Sequence, residues 1–244
     1  MSSSDDFMPF PACYRGSQFK PTVVLLSSLV LSLVWWYFGR FPFYEKHLAT
    51  RLVLFSDPAA TAAVYTFVGC FLLLGVVPAL IVRFVFRERL ADYGVQLGNR
   101  LRTFGSLLIL APLFALLGYV GSRQPAVSAL YPLNRSAGSS PTMFAIHACT
   151  YMLLFAGMEF HYRGFVQFGL RESFGAINAF WVQLVMSVLI LASKPPSEAF
   201  GAIWCGALWG VLAFRNRSLL SGLLQRFVMG ISLDFFICYG PRLM

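Results

Sequence analysis

Charge is what this chain has least of. Lys and Arg together number 19, Asp and Glu 10, and the two classes make up only 12% of the residues. A soluble domain carries about a quarter charged residues, so this scarcity excludes an ordinary water-facing surface. Paired cysteines are also lacking. The five cysteines (Cys13, Cys70, Cys149, Cys205, Cys238) show no CxxC spacing, and four of them sit in apolar runs. That excludes a zinc knuckle and a disulfide framework, and reads as small buried hydrophobes. No HExxH pair occurs, and no apolar leader region precedes Pro21, so the first spanning helix is expected to serve for targeting. Neither an internal repeat nor a soluble domain is legible.

What is present is hydrophobic sequence: 58% of the chain, with 25 Phe and five Trp, and a mean hydropathy of +0.69. The formal charge of +9 falls mostly between apolar runs rather than along an aromatic-studded stripe. That distribution sets membrane topology and excludes a nucleic-acid partner. The expected architecture is all-α: a polytopic bundle of about seven transmembrane helices, with residues 1–20 as a polar N-terminal segment and residues 21–244 as one membrane domain.

The runs themselves follow from uncharged stretches. The first is Pro21–Tyr37, closing on Trp35, Trp36 and Tyr37 as an interfacial aromatic cluster. A mixed connection, Gly39–Asp57, follows, with His47 as an interfacial side chain. The second helix, Pro58–Val82, empties into Arg83, Arg87 and Arg89. That basic connection continues to Arg102 and is placed on the interior side, together with the N-terminus. The third helix is Thr103–Tyr119, followed by a Ser-, Pro- and Gly-rich loop to Pro141. The fourth runs from Pro141 to about Leu170, the fifth is Gly175–Ser193, the sixth Ala199–Phe214, and the seventh begins near Ser218. The charge bias is modest, because Arg40, Lys46, Arg51, Arg123, Arg135, Lys194 and Arg242 fall on the other side. Either a bacterial cytoplasmic membrane or an organelle inner membrane fits.

Within this apolar background a few ionisable residues stand at membrane depth, and such residues are costly unless they face protein or a water pocket. Glu159 and Arg163 lie four apart on the fourth helix and share a face, so they are expected to pair. His161 points roughly the other way. Arg226 and Asp234 lie inside the seventh helix, eight residues apart, and each needs a partner from another helix. His147 and His161 are fourteen residues apart, roughly 21 Å along a helix, which is too far to share a metal. No metal or other cofactor is expected, whereas a bound lipid is compatible with the composition.

The segment from about residue 142 to 239 resembles the CPBP family, the CAAX-protease and bacteriocin-processing intramembrane proteases also called Abi. That family has a Glu-Glu pair followed by Arg-Gly on one membrane helix. Here Glu159, Arg163 and Gly164 keep the pattern, while Met158 stands in place of the first Glu, which the resemblance assigns to activating water. A second motif is an apolar helix ending in histidine. Ser187 through Ser193 occupies that place, with Lys194 or Pro195 at the histidine. The third region is matched by Gly206, Gly210, Arg215, Arg217, Ser218 and Leu219, and by the same count the histidine and asparagine positions hold Arg226 and Gly230.

Peptide hydrolysis needs a base to activate water and donors to hold the oxyanion. Met158, Pro195 and Gly230 offer neither in a side chain, and Arg226 stays protonated. The resemblance therefore implies a pseudoenzyme with no catalytic residue, acting as a scaffold or accessory subunit among other membrane proteins and lipids. A second reading is a working protease with a rearranged site, Glu159 as base and His161 or Arg226 as helper. A third is a transporter or channel lined by Glu159, Arg163, Arg226 and Asp234, against which stands the absence of an inverted repeat.

Overall fold

The computed structural model describes residues 18–241, so Cys13, Arg242 and most of the polar N-terminal segment lie outside the described residues. The described residues form helices and no strands. Six helices are long and apolar enough to cross a bilayer. They are α1 (Phe19–Phe38), α3 (Pro58–Val85), α4 (Arg100–Ser122), α5 (Pro141–Leu189), α6 (Pro196–Asn216) and α7 (Leu220–Tyr239), with the short α2 (Phe41–His47) following α1.

The expected fourth and fifth helices follow one another without a loop in the 49-residue stretch α5, and they are two helical limbs that meet at a kink at Gly175, where the fifth was expected to begin. Its continuity is interrupted only at Gly175, whose φ of 77° and ψ of 157° are open to glycine and strained for other residues. Beyond this glycine the second limb folds back, packing Ala179, Val182 and Met186 near Phe165 and Phe168 of the first. The turn itself lies at the membrane face where Lys20 meets Glu172 at 3.5 Å. The second limb ends at the opposite face, where Lys194 reaches Tyr131. Its 176–189 segment rises roughly 21 Å, and the turn residues 190–194 carry the chain the rest of the way to that face.

Helix starts follow local chemistry. Asp57, Asn99 and Ser140 accept hydrogen bonds from the free amides of Ala59, Arg102 and Met143, at 2.8, 3.0 and 3.1 Å. Pro58 and Pro141 occupy first helical positions, where no amide donor is needed. Between Phe160 and Phe168, α5 widens to i→i+5 hydrogen bonding, a geometry that re-aims side chains in mid-membrane.

Close helix crossings are made at glycines. A Cβ on Gly118 of α4 would meet the Met229 carbonyl of α7 at 2.5 Å. One on Gly157 of α5 would meet the Cys70 carbonyl of α3 at 2.8 Å. Bilayers supply no hydrophobic drive between helices, so backbone-to-backbone approach of this kind carries the packing. Two apolar clusters result. One gathers Val24, Phe165, Leu170 and Leu219 toward the basic face, and the other gathers Trp35, Phe67, Leu154 and Tyr162 toward the opposite face.

The connections sort into two faces as the charge pattern implies. On one, Asn99 donates to the Asn216 carbonyl and Leu219 to that of Gly94. On the other, Ser136 bonds Asp57 and Ser197 bonds Gln124. Asp57 is held below the usual carboxylate range by Ser136 and by the Ala59 amide.

Candidate functional site

The ionisable residues at membrane depth gather into two separate buried groups. The first is centred on Glu159, which sits at the start of the widened turn and is 1% exposed. Its Oε2 stands 4.0 Å from Arg163 Nη1 on the same helix and 3.9 Å from Arg226 Nη1 on α7. The expected Glu159–Arg163 pair is therefore one half of a three-membered cluster. Arg226 finds on α5 the partner that its position required. Both contacts exceed hydrogen-bonding distance, and neither Glu159 oxygen has a hydrogen-bond donor among the described residues.

Trp209 of α6 lies against both cations, 5.9 Å from the Arg163 guanidinium and 5.1 Å from that of Arg226. Arg163 also points Nη2 at the Gly206 carbonyl, and one turn further Gln167 donates to the Gly210 carbonyl at 2.8 Å. The two α6 glycines thus expose backbone to α5 side chains. A Cβ on Gly206 would come within 3.2 Å of Arg163, and one on Gly222 of α7 within 2.5 Å of Glu159 Oε1. His161 is fully buried and has no hydrogen-bond partner among the described residues, with the Tyr162 and Phe165 rings beside it.

The second group was not legible from the chain. His147 Nε2 meets Asp234 Oδ2 at 2.8 Å, with both side chains wholly buried. Asp234 thus takes its required partner from α5, two helices away in sequence. The ring of Tyr151 stacks on His147 at a centroid distance of 5.0 Å. Helical spacing relates neighbours on one helix only, and nothing in it links residues 147 and 234.

Beside the first group lies a cavity of about 390 Å³. Met158, Lys194, Arg226 and Gly230 all line it, so four of the positions singled out by the protease resemblance face one space. Glu159, His161 and Arg163 are not among its lining residues, and Pro195 caps the start of α6 instead. At Gly230 the Phe155 ring takes the room a side chain would need, since a Cβ there would come within 2.7 Å of it. The cavity extends toward Lys194, whose Nζ donates to the Tyr131 hydroxyl at 3.0 Å. That hydroxyl in turn donates to Glu198 at 2.7 Å. Burial lowers the Lys194 ammonium from its ordinary value, with Glu198 opposing the shift, and burial raises the Tyr131 phenol. This Lys–Tyr–Glu link joins the 123–140 connection to the start of α6. Sequence reasoning missed it because Tyr131 lies in a connection with no periodicity.

Among the described residues no group of three His, Cys, Asp or Glu side chains is placed to hold a metal ion. The fold and these sites define a multi-pass helical membrane protein with polar residues buried at its centre. No protein-family profile, curated protein or solved structure matches the chain.

Proposed function

We propose that this protein is a non-catalytic, CPBP-like membrane protein that serves as a scaffold or accessory subunit of a membrane complex. The observation that carries the reading is the fate of Glu159. It is the acid retained at the position equivalent to the family's second Glu, and it is clasped between two guanidiniums outside the cavity. A carboxylate so placed acts as a counter-ion and lacks the access to water that a general base requires. The cavity wall holds Met158, Arg226 and Gly230 where an acid, a histidine and an asparagine would serve hydrolysis. The carboxylate that does stand on that wall, Glu198, is engaged by Tyr131 and Lys194.

Exposed apolar residues on α4 and α6, such as Leu108, Ile109, Trp204 and Phe200, offer surface to lipid or to neighbouring helices. Extraction from the native membrane in a mild detergent, size separation and mass spectrometry test the proposal. Defined partners at a fixed ratio are expected. A lone 27.2 kDa species that cleaves a membrane peptide would refute it.

A further inference from the structure

The Glu159 cluster does not balance. Two guanidiniums, Arg163 and Arg226, share one carboxylate, so the buried group carries an excess positive charge. Arginine stays protonated, and an uncompensated charge at membrane depth is costly. The second buried acid, Asp234, is taken by His147. Of the two cations, Arg226 is the one on the cavity wall. It is 8% exposed; its buried Nη1 is the nitrogen turned toward Glu159, while the residue itself lines the cavity.

The rest of the wall near Arg226 is apolar, made by Phe155, Met158, Trp209, Met229 and Leu233. Along α6 the cavity runs from Glu198 to Trp209, a rise of roughly 16 Å. On its α4 side the wall includes Leu117 and Val120, which are 43% and 48% exposed. The volume of about 390 Å³ is within the range of small-molecule sites, which are apolar with a few placed polar groups.

We propose that this cavity binds a single-chain amphiphile whose acidic head group, a carboxylate or a phosphate, is held by Arg226. The head completes the charge balance of the cluster, and the hydrocarbon chain lies along the apolar wall toward α4. Charge-assisted hydrogen bonds from a guanidinium to either oxyanion are the strongest contacts available to such a head. The assignment rests on the cavity and its charge, and is independent of the protease-like reading above.

The test uses the full chain in phosphatidylcholine nanodiscs, with radiolabelled oleate, oleyl phosphate and oleyl alcohol as probes in a scintillation proximity assay. Saturable binding of at least one acid is expected, with the alcohol about tenfold weaker or more, the scale of one lost hydrogen bond to a charged group. The tighter acid identifies the head group. Arg226→Gln is expected to abolish the preference for acid over alcohol, and Arg226→Lys to retain most of it. Ala202→Trp, which fills the α6 side of the cavity, is expected to weaken all three probes, and it keeps the test intact if Arg226→Gln fails to fold. Equal binding of acid and alcohol by the wild type, or acid binding untouched by either Arg226→Gln or Ala202→Trp, overturns the proposal.

Discussion

At the residue scale, the two buried polar groups differ in how much of them could be read in the chain. Glu159 and Arg163 were legible because one helix carries both at a spacing of four. Arg226 and Asp234 announced only a need for partners, since the helix that supplies each is fixed by packing. His147 with Asp234 is the sharper case. Both are wholly buried at 2.8 Å, so removing one leaves the other unsatisfied. Asp234→Ala is expected to cost about 1–3 kcal/mol. The double variant His147→Phe with Asp234→Leu should cost less than the sum of its single changes, because no orphaned group is left. Thermal unfolding of the four proteins in one detergent measures this cycle.

At the element scale, glycines divide into those that hold helices together and those that do not. Gly118 faces the α7 backbone, whereas Gly105, on the same helix, has nothing within 4 Å of an added Cβ. Gly118→Ala should therefore force α4 from α7 and destabilise by about 1–3 kcal/mol. Gly105→Ala should be neutral or stabilising, by up to about 1 kcal/mol, through helix propensity alone. Unfolding of the two variants side by side distinguishes steric contact from propensity. The apolar runs placed most helices in the chain correctly, since lipid demands length and hydrophobicity of each one. They divided Pro141–Leu189 at Gly175, where the structure turns, but did not show that the two limbs follow one another without a loop, because a glycine's backbone angles are not read from an apolar run. Nor did they show the widening at Phe160–Phe168, which depends on hydrogen-bond register rather than composition.

At the scale of the whole molecule, the connections separate onto two faces, one carrying Arg83, Arg87, Arg89, Arg215 and Arg217. The charge bias predicts that this face is interior. In a background with native cysteines replaced by alanine, a cysteine at Leu97 should be shielded from a membrane-impermeant maleimide applied outside intact cells, and one at Val53 should be labelled. The reverse pattern would invert the orientation. The cavity shows most clearly how sequence and structure relate here. Met158, Lys194, Arg226 and Gly230 were singled out by resemblance and lie on one wall. That the wall beside Arg226 is apolar, and that Glu159 stands outside the cavity, emerged only from the packing of α5, α6 and α7.

Glu159 either balances charge or performs chemistry, and Glu159→Gln separates the two when stability and cleavage are measured on the same preparation. Removing the carboxylate leaves two guanidiniums buried together, at an expected cost of about 3–5 kcal/mol. A clear fall in the unfolding temperature is expected, with no difference in processing of prenylated or other membrane peptides. An unfolding temperature equal to that of the wild type, together with a cleavage activity lost in the variant, would contradict it.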